Sequence, residues 1–269
     1  MLQSVIVPTS IADAHAALAK HDGAVIVGGG TVVMPILNYG TDDFDALVSL
    51  RKAGLSGMTI VGDAATIGAA TSLTALRERP ELAFLSDAID TIGSPTIRNM
   101  ATVGGNLFVE QPYGDLAVCL VALGASASVS TATGNRVEAV ETLVRTGVRK
   151  GEIVTQLSFA IPAPDTFKFL KATRRAYNSA SIVTVAAVIK RENGRVSECS
   201  IALGGVASHP VRATTVETNL VGNPLDRASV EAAARTAKDD IDPFDDAYAS
   251  AWYRARVTPV HIRRALIGE

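Results

Sequence analysis

The spacing of apolar and polar positions changes several times along the chain, and each change predicts an element. In "SIADAHAALAKHDGA" the alanines and Leu18 recur at helical spacing behind Ser10, a residue able to cap a helix, and Gly23 stops it. "AVIVGG" is a short, continuously apolar run that predicts a buried strand, and "ALVSL" predicts a second. "MTIVGDAATIGAAT" sets Gly62-Asp63 between two runs rich in branched residues, which predicts a hairpin. Two helical stretches follow: "SLTALRERPEL", up to the residue before Pro80, and "FLSDAIDTIGS", stopping at Gly93. "DLAVCLVALGA" fits helix or strand by pattern; its length, leucines and alanines favour a buried helix.

Turn chemistry at Pro162, Pro164 and Asp165 then interrupts the pattern and predicts a boundary between a first domain over 1–163, itself divided near 55, and a second over 164–269. Beyond it, "VTVAAVIKRENGRVSECSIALGGV" joins two strand-like runs through Asn193-Gly194, a strong hairpin signal. "SVEAAARTAKDDI" and "DDAYASAWYRARVTPVHIRRALI" carry apolar residues three and four apart. The second holds the only tryptophan, Trp252, and Pro259 is expected to kink or restart that helix.

Composition narrows the function. With 269 residues, 48% of them apolar, the chain is able to build its own core. Its two cysteines, Cys119 and Cys199, lie far apart without a CxxC, so neither a disulfide framework nor a cysteine-rich metal site is expected, and a reducing compartment is. Neither a signal peptide nor an apolar run long enough to span a bilayer is visible, which predicts a cytoplasmic protein without a membrane span. A net charge of -2 gives no electrostatic footprint for nucleic acid, and Arg174-Arg175 and Arg263-Arg264 read as ordinary surface charge. The four histidines, His15, His21, His209 and His261, show no paired ligand spacing and read as non-ligands, so no metal site is predicted.

The candidate chemistry sits in glycines. "VIVGGGTVVM" places three of them after a strand, where missing side chains and positive φ let amide groups converge on an anion. A P-loop would need Gly-Lys-Ser/Thr, whereas Val32 follows Gly30-Thr31. A Rossmann fingerprint would need a third glycine where Val33 stands, and Pro35 falls inside its helix. By itself the triplet fits a tight turn equally well. "TIGSPTIRNMATVGGNLFVEQPYGD" adds a second pair, Gly104-Gly105, beside Thr102 and Asn106. Two such loops facing one pyrophosphate would each offer backbone donors, with Thr31, Thr102 and Asn106 adding side-chain bonds, so that a diphosphate is held without lysine or metal.

The run Ile97-Arg98-Asn99-Met100-Ala101-Thr102-Val103-Gly104-Gly105-Asn106, with Gly28-Gly29-Gly30-Thr31, resembles the FAD-binding medium subunit of the molybdenum hydroxylases, the family of carbon monoxide, nicotinate and xanthine dehydrogenases. The similarity continues through "TIGAAT", "GEIVTQLSFAIP", "KATRRAYNSASIVTVAA", "IALGGVASHPVRA" and "DDAYASAWYRARV", in the family's order over nearly the whole chain. The resemblance implies an α+β fold: a non-Rossmann FAD domain of two α/β subdomains, then a C-terminal domain with a small antiparallel sheet and helices. It implies that one diphosphate loop is Val27, Gly28, Gly29, Gly30, Thr31, Val32 and Val33, and the other Ala101, Thr102, Val103, Gly104, Gly105 and Asn106. Asp115 matches a FAD-contacting aspartate, Val154 a position that touches the cofactor, and Lys171 a lysine near the flavin. A valine at Gly104 is expected to abolish FAD retention by occupying the diphosphate's place.

Plainer roles are open to the same residues. Asp115 is placed to cap the following helix, and Lys171 reads as a solvated strand lysine unless flavin pairs with it. Arg98 and Asn99 read as buttresses of the second loop, and Tyr113 and Tyr177 either stack on the flavin or pack.

FAD takes electrons singly and releases them in pairs while the protein sets its position and potential, so no catalytic acid, base or nucleophile is expected on this chain. By the resemblance, electrons pass from a molybdenum centre through iron–sulfur clusters to FAD and on to NAD, quinone, oxygen or a protein. A conventional cluster takes four cysteines and the chain has two. The clusters and the molybdenum cofactor are therefore expected on partner chains, an iron–sulfur small subunit and a molybdopterin large subunit. Two alternatives are a stand-alone FAD-dependent oxidase or reductase and a cofactor-free assembly subunit; intact glycines in both loops argue against the second.

Overall fold

In the computed structural model, residues 2–40, 44–175 and 179–268 are described. The chain opens with β1 (Ser4–Ile6), α1 (Ile11–Lys20), β2 (Ala24–Val27), α2 (Val33–Tyr39) and β3 (Ala46–Ser49). Parallel pairing on both sides of β3 gives the order β1-β3-β2. Ser10 caps α1 as expected, its hydroxyl accepting from the Asp13 amide at 3.0 Å. The helix ends at Lys20, before Gly23, and turns Ala14, Ala17 and Leu18 onto a small core with Val48, Leu50 and Leu55. β1, three residues long, carried no readable period. A short helix does follow the first glycines: Pro35 sits in the first turn of α2, where a missing N–H costs nothing.

The middle of the chain supplies β4 (Met58–Val61), β5 (Ala64–Gly68), α3 (Leu73–Arg77), α4 (Ser86–Asp90), α5 (Pro95–Met100), α6 (Val103–Asn106), α7 (Asp115–Ala122), β6 (Ser126–Thr131), β7 (Gly134–Ala139), α8 (Val140–Thr146) and β8 (Ile153–Ala160). Its strands form an antiparallel sheet ordered β4-β5-β8-β6-β7, and Gly62-Asp63 makes the predicted hairpin. The ambiguous apolar run is a helix: all eight residues of α7 are buried, which explains its lack of an amphipathic pattern.

The last part holds β9 (Phe167–Thr173), β10 (Ser181–Glu192), β11 (Arg195–Gly204), β12 (Val211–Arg212), α9 (Thr214–Leu220), α10 (Arg227–Ala234) and α11 (Ala251–Ile267). An antiparallel sheet, β12-β11-β10-β9, contains the Asn193-Gly194 hairpin, with φ of 50° and 78° at its tip. One face packs on α9, α10 and α11, and the other presents Ala186 and Ala202 to the core around α7. Two expectations for the last helix change. It begins at Ala251, because the Asp245 and Asp246 carboxylates accept the amides of Ala251, Tyr248 and Ala249 and hold that stretch in a turn. It also runs through Pro259 without restarting. No helix among the described residues is long and apolar enough to cross a membrane.

Candidate functional site

Both glycine loops meet at one place. A Cβ built on Gly29 would lie 1.8 Å from the Met100 carbonyl oxygen, and one on Gly28 would lie 2.5 Å from Thr102 Oγ1. These two glycines are side-chain-free because the second loop presses against them. Gly30 serves differently: its φ of +74° turns the chain from β2 toward α2.

The second loop is clamped from beneath. Amides of Val103 and Gly104 donate to the carbonyls of Thr71 and Ala69, at 2.9 and 2.8 Å. Thr102 caps the one-turn α6, its hydroxyl accepting from the Gly105 amide at 3.1 Å, while the Asn106 amide donates to the Thr102 carbonyl. These backbone donors are therefore spent inside the protein, contrary to the expectation that both loops offer theirs outward. The amides of residues 28–33, by contrast, find no acceptor among the described residues. Asn106 is buried, and its Oδ1 accepts from the Ala117 amide in the first turn of α7, leaving its Nδ2 as the uncommitted end. Gly104 faces protein: a Cβ there would lie 2.8 Å from Ala69 Cβ and 3.0 Å from its carbonyl oxygen. A valine at Gly104 is thus a packing lesion in the loop's support, which corrects the reason given above for its effect. Gly105 is exposed, and only Thr102 Oγ1 lies within 4 Å of a Cβ built there.

Arg98 and Asn99 secure α5, which leads into the second loop, through bonds to α4 and α3 and not to the loop itself. Arg98 Nη1 donates to the carbonyls of Asp90, Ile92 and Gly93, closing the end of α4, and Asn99 Oδ1 accepts from Thr74 Oγ1 at 2.7 Å, tying α5 to α3. Ala101 and Val27 are buried beside the two loops. Val154 lies on β8 and is buried in the core cluster that also holds Ala69 and Val103.

Asp115 and Lys171, 56 positions apart, meet as an ion pair at 2.8 Å with side chains only 4% and 5% exposed. Lys171 is therefore not a solvated strand lysine; it also donates to the Thr91 carbonyl. Nor does Asp115 cap α7, since Gly114 holds the cap position and Asp115 begins the helix. Its second oxygen accepts from Thr184 Oγ1 at 2.6 Å, and Thr184 is hydrogen-bonded to Ser181 at 2.7 Å. From there the network reaches α11. Arg254, fully buried, donates to the carbonyls of Ser181, Ile182 and Gly205, pairs with Asp246 at 2.7 Å and lies over the Phe244 ring. Burial alone would raise the Asp246 carboxyl, but the Ala249 and Tyr248 amides and Arg254 hold it below its ordinary value.

Tyr113 packs edge-on against Tyr248 with the hydroxyls 2.7 Å apart, and that bond, with burial, pushes Tyr113 up to about 12. Tyr177 lies outside the described residues. Gln111 links the same segment to the C-terminal sheet by accepting the Gly205 amide at 2.6 Å. Burial pushes the Cys119 thiol well above its ordinary range and Cys199 up to about 12, so neither is a ready nucleophile. Two clefts, of about 280 Å³ beside β2 and about 440 Å³ beside the end of α11, are lined by none of the loop residues.

Apolar side chains next to the loops in sequence are exposed, Val32, Met34, Ile97 and Met100 between 38% and 54%. Amides without an acceptor among the described residues, beside such side chains, suit a dianionic linker carrying flat rings. Residues 2–164 match the family described as the FAD binding domain in molybdopterin dehydrogenase. The chain belongs to the molybdopterin dehydrogenase flavoproteins. Residues 168–268 of this flavoprotein match the CO dehydrogenase flavoprotein C-terminal domain. It is 30% identical to the glyceraldehyde dehydrogenase medium chain of Sulfolobus acidocaldarius, over 95% of this chain and 94% of that one. Identity to the carbon monoxide dehydrogenase medium chain of Afipia carboxidovorans is 29%, covering 96% and 93%. A chain of the reconstituted CO dehydrogenase from Oligotropha carboxidovorans superposes with a TM-score of 0.92 at 29% identity, covering 98% of this flavoprotein and 96% of that chain. FAD is the cofactor this family carries, and the protein is the flavoprotein component of an oxidoreductase. Sequence reasoning missed Thr184, Ser181, Gln111 and Arg254, whose roles exist only once distant segments meet.

Proposed function

We propose that this flavoprotein relays electrons, within a multi-chain molybdenum-containing dehydrogenase, from iron–sulfur clusters on a partner chain to an external acceptor. The observation that carries the reading is the junction of the two loops, where the amides of residues 28–33 find no acceptor among the described residues and exposed apolar side chains lie next in sequence. In this assignment the amides of residues 28–33 hold the diphosphate, and the hydroxyls of Thr31 and Thr102 and the Asn106 Nδ2 complete the donor set. The bound flavin supplies the one- and two-electron chemistry. In the same assignment Asp115, Lys171 and Val154 belong to the cofactor's surroundings, which is supported by Asp115 opening the helix whose Ala117 amide bonds Asn106 and by Val154 sharing a core with Ala69 and Val103.

The three sheets support a division into a FAD domain over 1–163, split near residue 55, and a C-terminal domain over 164–269. Relatives named as medium chains support the subunit role, since each is covered almost end to end. With two cysteines the chain lacks the four thiolates of a conventional cluster, which assigns clusters and molybdopterin to a small and a large partner. Both cysteines are free, in keeping with the reducing cytoplasm.

Purification of the tagged chain from its own host tests this. The expected product is yellow, with about one FAD per chain, and brings with it one chain containing iron and another containing molybdenum. A flavin-loaded chain that arrives alone and oxidises an organic substrate by itself would replace this reading with a stand-alone flavoenzyme.

A further inference from the structure

Four arginines lie on α11, and they divide by side. Arg254 is fully buried and holds three carbonyls and Asp246, and Arg263 Nη1 reaches Glu231 at 2.7 Å. Arg256 and Arg264 are exposed and meet no carboxylate among the described residues. Together with Trp252 and Val260 they recur every fourth position, so Trp252, Arg256, Val260 and Arg264 form one stripe about 18 Å long on the outer face. Trp252, the chain's only tryptophan, is 67% exposed, with Tyr253 beside it at 42% and Val260 at 38%. The Arg256 guanidinium lies 5.4 Å from the centre of the Trp252 ring.

Tryptophan, tyrosine and arginine are the side chains that dominate protein contacts when buried. Stacking Arg256 on the indole fixes both before any partner arrives, which reduces the ordering cost of docking. Among the described residues the two guanidinium groups meet none of the planar acceptors they fit best, carboxylates. A net charge of -2 makes the stripe a local feature and not part of a general basic field of the kind that binds nucleic acid.

We propose that this stripe docks the iron-bearing chain of the assembly, whose contact surface presents carboxylates on either side of an apolar pocket that takes the indole. The inference rests on the subunit reading above. A second copy of this chain fits poorly, since pairing the stripe with itself would gather four guanidinium groups without a carboxylate among them. Across the same helix, about 10 Å away, Arg254 joins the Ser181–Thr184–Asp115 network, so a chain docked on the stripe is one helix diameter from the Asp115–Lys171 ion pair's hydrogen-bond chain.

The test uses the tagged chain expressed in its own host as wild type, as Arg256→Glu/Arg264→Glu and as Trp252→Ala. FAD per chain, melting temperature and iron per FAD are measured on the purified material. Charge reversal is expected to lower iron per FAD about tenfold or more, and Trp252→Ala to lower it in the same direction, with FAD per chain and melting temperature as in wild type. Wild-type iron content in both variants overturns the stripe and leaves the subunit reading standing. Wild-type chain carrying FAD but no iron overturns the subunit reading and the docking with it. Light scattering that shows the chain alone as a dimer, converted to monomer by the charge reversal, assigns the stripe to a second copy and overturns the proposal as well.

Discussion

Asp115 and Lys171 show how one contact combines stability with electrostatics. Each side chain is almost fully buried, so each charge depends on the other and on Thr184 and the Thr91 carbonyl for its solvation. Lys171→Met leaves the carboxylate stranded and is expected to cost about 3–5 kcal/mol of stability in urea unfolding. Asp115→Asn/Lys171→Met removes both charges and is expected to recover most of that loss. The double variant also separates two roles. If Lys171 stabilises the negative charge of reduced flavin directly, the midpoint potential stays below wild type in the double variant even with stability restored; a potential that returns with stability makes the lysine a partner of Asp115 alone. Both residues were legible in sequence as candidates, but their pairing was not, because nothing in a sequence places position 171 of a strand beside position 115 of a helix. Thr184 and Arg254 were silent for a related reason: a hydroxyl in a strand and an arginine in a helix look like surface until their neighbours are known.

Among the elements, those defined by local chemistry were readable. The Gly62-Asp63 and Asn193-Gly194 hairpins and the Ser10 cap are set by residues within a few positions of one another. β1 and β12, with three and two residues, are strands only because a neighbour pairs with them, so no period betrays them. The start of α11 is not legible in sequence, because Asp245 and Asp246 spend their carboxylates on amides ahead of the helix. That helix also carries a pH dependence. His261 is half-buried, its Nδ1 has no partner among the described residues, and burial followed by repulsion from Arg264 lowers its pKa below the ordinary value. The folded state therefore favours the neutral ring, while the unfolded chain takes up its proton first as pH falls. The resulting stability is fully present above about pH 6.5 and is lost as pH falls from there through the lowered folded value. His209, lowered by burial and Arg145, acts in the same direction. Melting temperature against pH should thus fall less steeply below pH 6.5 in His261→Gln than in wild type; an identical slope would remove His261 from the acid response.

At the scale of the whole molecule, the fold brings together three sheets that share little sequence neighbourhood, and the glycine loops are one of the joints. Loop one leaves the parallel sheet after β2, and loop two is anchored through Ala69 and Thr71 at the end of β5. Their contact has no side chain on one side, because Gly29 lies against the Met100 carbonyl and Gly28 against the Thr102 hydroxyl. These neighbours differ in how they yield. A hydroxyl is the end of a rotatable side chain, whereas the Met100 carbonyl belongs to backbone at the C-terminal end of α5, fixed by the Ala101 amide donating to Ile97 and the Ala101 carbonyl accepting from Leu73. Gly28→Ala should therefore be accommodated by a rotation of Thr102 that gives up its cap on α6 and its place in the donor set, so that FAD retention falls only in part. Gly29→Ala has no such escape: its methyl requires the loops to part, which would misplace the free amides while leaving the distant β10–β11 hairpin intact. The expected outcome is colourless or weakly yellow Gly29→Ala protein, with hydrogen-exchange protection lost at residues 97–106 and preserved in β10 and β11. Full flavin occupancy in Gly29→Ala would mean that the diphosphate does not depend on the closeness of these loops, and the assignment of the amides of residues 28–33 would have to be abandoned.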